Sequence, residues 1–397
     1  MTGDKGGTCP IRLAARESYV PRVPHEVFKE LRASSPVSWH EADGYPGFWA
    51  ITKYRDIVSI STDTRSFSSA RGVFVEDIES GQGIPGSLLT SDPPLHTSLR
   101  AQLSDWFTAT SLARLEGWLR ITARAIMDRA ASAGRCEFVY DMAAELPLLT
   151  ICEFLGVPEA DRSYMLALGD AVVRSENDRT FAEAMKKIGD YGLQLARQSA
   201  GDGGSGLVRN MLRSFEKEER LAEVEFAGQF AQLLVAGNET TRTLLSNIML
   251  ELCDRPDLHV ALKAEPGRLP LAIEEFLRWT SPIYYMRRTA REDTKIGEVA
   301  IRAGDPVVMY YVSANRDEDV FDEPDTIDID RRPNRHLAFG VGRHNCLGAQ
   351  LARLETRIFM EEFLERFRSV SLDGAPVRFP SNVVNSWERL PVVLEVG

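Results

Sequence analysis

Histidine is scarce in this chain, with six among 397 residues, so a dense histidine metal cluster is excluded. Cysteine is scarce too. The five cysteines, Cys9, Cys136, Cys152, Cys253 and Cys346, are scattered, and none forms a CxxC pair. An odd, scattered set in a long chain is not a disulfide framework and predicts a reducing, cytoplasmic setting. Positive charge is in deficit. A formal net charge of −11 argues against a nucleic-acid partner, whose binding surface would be basic. Long apolar runs are missing as well. The charge-free stretch Phe226–Asn238 is too short and too polar to span a bilayer. Met1–Pro10 is polar and glycine-rich, without the apolar core of a secretion signal, so no membrane anchor is expected. No internal repeat, low-complexity tract or long linker is present.

What remains is ordinary globular composition, 44% hydrophobic and 26% charged. The length suffices for a large core with an internal cavity and, taken alone, suggests two or three domains. Residues 1–20 read as a loosely ordered lead-in. Gly47–Ile51 has strand composition, with a helix beside it near Val58 and Ile60. Gly81–Gly86 reads as a loop. From Pro93 the spacing predicts helices, over 111–133, 141–155, 159–174 and 179–199. Gly201–Gly206 is a break. A long helix is predicted over Leu221–Cys253, closed by Arg255-Pro256, and another over Pro270–Trp279, closed by Ser281-Pro282. Thr294–Val299 and Val307–Tyr311 read as strands, and Pro324–Pro333 as a proline-rich meander. A helix follows Cys346 to about Phe367, and Val377–Val396 reads as short strands. The fold class is mainly α with a smaller β portion.

Four constellations carry chemistry. The first is Phe339-Gly340-Val341-Gly342-Arg343-His344-Asn345-Cys346-Leu347-Gly348. Its glycines let the backbone turn tightly and approach a flat ligand. The cysteine is read as opening the next helix, whose N-terminus favours a thiolate. Alone, such a cysteine would be buried packing. Zinc would need about four ligands, and only His344 is near. The second is Ala236-Gly237-Asn238-Glu239-Thr240-Thr241, a poor helix interior by propensity. Gly237 is read as leaving room for a ligand, with Glu239 and Thr240 as acid and hydroxyl side by side. A weak spot on a solvated face is the plain alternative. The third is Glu275-Phe276-Leu277-Arg278, whose ends share a helix face. The fourth is Asp92-Pro93-Pro94-Leu95-His96-Thr97-Ser98-Leu99-Arg100, in which His96 and Arg100 can face one anion.

The cysteine segment closely resembles the cysteine-ligand loop of the cytochrome P450 family, F-G-x-G-x-[H/R]-x-C-x-G. Ala236–Thr241 resembles the family's A-G-x-[D/E]-T-T signature, and Asp92–Arg100 its D-P-P-x-H-x-x-x-R segment. The signatures occur in family order from about residue 20 to the C-terminus. The resemblance implies the cytochrome P450 fold in a single haem-thiolate domain over 21–397. It implies haem b held without covalent attachment, since CxxCH is absent, with Cys346 as axial thiolate. It makes Phe339, Gly340, Gly342, Gly348, Ala236 and Gly237 part of the cofactor site. His96, Arg100, Arg288 and His344 become cations for the haem propionates.

Glu239 and Thr240 would guide protons to the dioxygen being activated. Glu275 and Arg278 would form a structural pair with an arginine of the meander, Arg331 or its neighbour Arg332. Leu233, Val235, Ile283, Tyr284, Tyr285, Val383 and Val384 would line the substrate pocket, with Tyr284, Tyr285 and Asn385 as polar handles. The implied activity is hydroxylation of a small lipophilic molecule, with terpenoids, steroids or branched lipids as candidates. Electrons would come from a ferredoxin and an NAD(P)H-dependent ferredoxin reductase, since no flavin or iron–sulfur motif is present, docking near Arg343, Arg353 and Arg357. A peroxide-driven peroxygenase of the same fold, a non-enzymatic haem-binding protein and a haem-free helical scaffold are the competing readings.

Overall fold

The computed structural model describes residues 12–42, 45–81, 83–84, 86–175, 178–198, 207–208, 211 and 222–397. Gly201–Gly206 and Leu221 therefore lie outside the described residues. The chain forms two compact units. The first comprises the chain up to Gly83, Ser246–Cys346 and Leu372–Pro391; the second comprises Ile84–Leu245, Leu347–Ser371 and Val392–Gly397.

The first unit is built on a five-stranded sheet. Its order is Val37–Ala42, Tyr45–Ile51, Pro306–Tyr310, Tyr285–Ala290 and Phe67–Ser68. Only the Tyr45–Ile51 and Pro306–Tyr310 pair is parallel, with Trp49 opposite Val307. The central run Pro306–Tyr310 is buried at every position. A strand covered on both faces needs such a continuous apolar run rather than alternation. Val308 and Tyr310 pack with Phe28 and Leu31 of the helix His25–Ser34. Val307 and Met309 pack with Ile57 and Ile60 of the helix Tyr54–Thr62. Side chains of successive strand residues point to opposite faces, so one short run supplies two cores.

The strand Tyr285–Ala290 is absent from the sequence reading, which took its first residues as pocket lining. The expected strand over Thr294–Val299 is instead a hairpin of Thr294–Ile296 and Val299–Ile301, turned at Gly297 with φ 57°. The expected loose lead-in is also corrected in part. Residues 1–11 lie outside the described set, but Leu13 and Tyr19 are buried in the core.

The second unit is mostly helical. Its helices include Leu95–Ser104, Glu116–Ala133, Glu145–Leu155, Arg162–Val173, Asp178–Gln198 and Ala349–Arg366. Leu99, Ile151, Met165, Ile188, Phe230, Leu234 and Leu351 form its core. The long helix Ala222–Asp254 runs in this unit as far as Leu245 and ends in the first. It stops because Arg255 precedes proline and leaves the helical conformation, with φ −132° and ψ 76°. The helix Leu269–Thr280 stops at Ser281, which adopts φ 43° before Pro282.

Candidate active site

The cysteine loop belongs to the first unit and is held by its own backbone. Cys346 N–H donates to the Phe339 carbonyl at 2.8 Å, Asn345 N–H to Gly342 at 3.1 Å, and Gly340 N–H to Leu337 at 2.9 Å. The Asn345 amide adds a bond to the Gly340 carbonyl at 3.1 Å. Gly342 combines φ 78° with a backbone neighbour, the Ser61 carbonyl, 2.7 Å from where a Cβ would sit. No other residue type fits both demands. Cys346 does not open the following helix. That helix starts at Ala349, with Gly348 at its cap. Leu347 and Gly348 separate the cysteine from it.

Cys346 is exposed. Burial pushes the thiols of Cys136, Cys152 and Cys253 up to about 12, so those three are inert packing. Among the described residues, no group of three or more histidine, cysteine or acidic side chains is placed to hold a metal ion. A bare ion such as zinc therefore lacks a ligand set, whereas an iron that brings four nitrogen ligands of its own needs one accessible thiolate. The donors present fit haem.

The cations split between the units. In the first, Arg288 is buried on the Tyr285–Ala290 strand, and its Nη1 donates to the Arg287 carbonyl at 2.8 Å. His344 Nε2 lies 3.2 Å from the Ser69 hydroxyl. Burial raises the Tyr311 phenol's pKa and the neighbouring Arg288 charge opposes that rise. In the second unit, His96 is buried and Arg100 half-buried, one turn apart on the helix Leu95–Ser104.

The long helix places Glu239 and Thr240 at adjacent positions that do not face each other, as consecutive helical residues cannot. Thr240 donates its hydroxyl to the Ala236 carbonyl at 3.0 Å. Glu239 is buried and forms a short ion pair with Arg242, while Thr243 donates to its other oxygen at 3.4 Å. Arg242 also reaches Asp170 at 2.8 Å, and its guanidinium lies 5.9 Å from the Tyr140 ring centroid. Gly237 has a packing reason. A Cβ there would meet the Ile151 side chain at 3.1 Å, so the neighbouring helix Glu145–Leu155 packs closely against the glycine. Ala236 is exposed and Val235 half-buried, whereas Leu233 is nearly covered.

The pocket residues of the first unit divide by polarity. Tyr284 and Tyr285 are 0% exposed, which removes them and Asn385 as polar handles. Arg378 donates to the Tyr284 hydroxyl at 2.5 Å and also reaches Asn385 Oδ1. Asn247 donates to the Asn385 carbonyl at 2.7 Å. Tyr19 stacks on Tyr284 with centroids 4.7 Å apart. Ile283, Met286, Val383 and Val384 are the half-buried members. Ile283 and Val384 pair across an isolated bridge, and Tyr284 N–H donates to Val383 at 2.8 Å.

Glu275 and Arg278 are both 0% exposed and joined at 2.7 Å. Arg331, not the exposed Arg332, completes the group at 3.1 Å. Asn334 and the Asp328 N–H also donate to Glu275. Arg278 ties down the carbonyls of Asn315, Pro324 and Thr326.

Three groups escaped the sequence reading. Arg242 resembles any helical surface arginine until its partner on another helix is known. Arg378 sits in a stretch that reads as a plain strand. Glu355 left a signal, an acid on the apolar face with Leu351, Ile358 and Phe359. It is buried, and the hydroxyls of Thr150 and Thr241 bond to it. Arg357, offered for partner docking, is partly exposed and ion-paired with Glu116 at 3.2 Å and Glu361 at 3.0 Å.

Comparison with known proteins agrees with this arrangement. Residues 173–386 match the family model for cytochrome P450. Linalool 8-monooxygenase of Pseudomonas putida is 34% identical over 95% of this chain and 97% of that protein. A steroid C26-monooxygenase of Mycolicibacterium smegmatis is 34% identical over 92% of this chain and 90% of its own. A Mycobacterium marinum cytochrome P450 in complex with pseudoionone superposes with a TM-score of 0.90 at 34% identity, covering 98% of this chain and 99% of that one. The chain belongs to the cytochrome P450 family. It is a cytochrome P450 monooxygenase with the family's mainly helical fold, and the family implies haem on an axial cysteine thiolate with O2 as co-substrate. Among the described residues, no helix is long and apolar enough to cross a membrane.

Proposed function

We propose that this enzyme hydroxylates a small lipophilic molecule, of the terpenoid, steroid or branched-lipid classes, in the cytoplasm. Residues 21–397 act as one catalytic domain on non-covalent haem b. Electrons come from a ferredoxin and an NAD(P)H-dependent reductase. The carrying observation is the split in the first unit: Tyr284, Tyr285 and Asn385 turn their polar groups inward, while Ile283, Met286, Val383 and Val384 keep apolar surface open. A pocket lined this way recognises shape and apolar area. The activities of the relatives, a linalool 8-monooxygenase and a steroid C26-monooxygenase, support the same classes.

Cys346 would supply the thiolate, on a loop whose backbone hydrogen bonds tie its own N–H to the Phe339 carbonyl. Arg288, His344, His96 and Arg100 would pair with the propionates. Bound haem supplies the oxygen activation, which a thiolate ligand favours by donating electron density. Thr240 holds its hydroxyl proton on the Ala236 carbonyl until it is needed, and Glu239 is the acid behind it. Arg242 keeps Glu239 in an ion pair, so proton passage requires that pair to open.

The test is spectral titration of haem-loaded protein with an acyclic monoterpene alcohol, a sterol and a fatty acid, followed by turnover with ferredoxin and reductase. Saturable displacement by one class and its hydroxylation support the proposal. Turnover with peroxide and none with the reductase system would replace it with a peroxygenase.

A further inference from the structure

Several segments of the first unit converge on one carboxylate that neither the proton path nor the haem ligands use. Glu76 precedes the helical turn Asp77–Ser80. Its Oε1 accepts the Asn382 amide at 2.9 Å, and its Oε2 accepts the Tyr285 hydroxyl at 3.3 Å. The donors are matched one to one. Tyr285 accepts the Val75 N–H at 3.0 Å, which directs its single proton to Glu76. Asn382 has two amide protons, and the second goes to the Ala14 carbonyl at 2.9 Å. Tyr285 and Asn382 are 0% and 2% exposed, so no solvent replaces a lost acceptor there.

The backbone follows the same convergence. Arg287 N–H donates to Val73 at 2.7 Å and Asn385 N–H to Pro282 at 3.0 Å. Asp77 folds the incoming loop by accepting Val73 N–H at 2.7 Å and Phe74 N–H at 2.9 Å. The segment 73–77, the strand start at Tyr285 and the turn 382–385 are therefore fixed to one another, with the Glu76 carboxylate bonded to both Tyr285 and Asn382.

We propose that Glu76 is a positioning residue for substrate: it clasps the 73–77 loop and the 382–385 turn onto the Tyr285 strand and so sets where the half-buried apolar side chains beside them stand. This rests on the reading that those segments line the substrate pocket. A carboxylate suits the task because it offers an acceptor to each of two donors. Glutamine offers one acceptor oxygen and two further donors, so Glu76→Gln severs an arm without changing the volume.

The experiment compares haem-loaded Glu76→Gln, Tyr285→Phe, their double variant and Asn382→Ala with the parent, kcat included. Amide hydrogen exchange over residues 73–78 is measured without substrate. The spectral dissociation constant and product ratio are measured with the acyclic monoterpene alcohol or, if that gives no spectral shift, with whichever titrant above does. In Glu76→Gln the proposal expects faster exchange, a dissociation constant raised about tenfold, as losing one hydrogen bond to a charged group would give, an altered product ratio and little change in kcat. Tyr285→Phe opens the same arm, so the double variant should add little to either single change. Unchanged exchange in both Glu76→Gln and Asn382→Ala overturns the clasp. Faster exchange with an unchanged product ratio and dissociation constant overturns the positioning role. Loss of the haem-thiolate spectrum in the parent protein would instead count against the monooxygenase reading and leave exchange to judge the clasp.

Discussion

Burial pushes the carboxyl of Glu355 up to about 8, against a lowering by its hydrogen bonds to Thr150 and Thr241. The folded state keeps the carboxyl proton up to about pH 8, whereas the unfolded chain releases it near 4.5. Between those values the native state binds more protons than the unfolded one, so stability falls as pH rises through the window. Glu355→Gln removes this titrating proton. Its thermal midpoint should fall less than the parent's between pH 5 and 8. Parallel pH curves for the two proteins would show that Glu355 carries no such proton. At this scale, legibility in the sequence depended on how local the pattern is. Cys346 stands in a contiguous loop and was plain. Glu239, Arg242 and Asp170 meet across 72 residues, so the acid was visible and its clamp was not.

The helix Leu269–Thr280 fastens the meander after it. Its Glu275 and Arg278 are fully buried, and Arg331 and Asn334 close over them. Removing one member leaves a buried charge without its partner, which costs about 3–5 kcal/mol. Arg278→Ala is expected to lose that much in urea denaturation. A loss below about 1 kcal/mol would place the group with exposed ion pairs, which are worth little. Helices with a clear start and stop were legible: the long helix was read to Cys253 and ends at Asp254. The Tyr285–Ala290 strand was not, because a run of tyrosine, methionine and two arginines lacks any period of two. Its place in the sheet comes from pairing with Pro306–Tyr310, a non-local fact. Gly237 shows the converse: the glycine is plain in the sequence, but the neighbour packed closely against it, Ile151, lies on another helix.

For the whole molecule, the class was legible because the family signatures are local, while the division of polar and apolar groups around Tyr284 and Tyr285 was not. With a net charge of −11, attraction of an acidic ferredoxin would fall to local arginines, for which Arg343, Arg353 and Arg357 near the cysteine are proposed. Reversing two of these charges should slow reduction by ferredoxin and weaken its salt dependence; unchanged rates would remove this face from consideration. The central claim is that Cys346 ligates haem iron as a thiolate. The measurement that tests it most directly is the absorption spectrum of the reduced, carbon-monoxide-treated, haem-loaded protein. The account predicts a band far to the red of histidine-ligated haem proteins, lost in Cys346→His. A folded, haem-loaded parent protein without that band would contradict it.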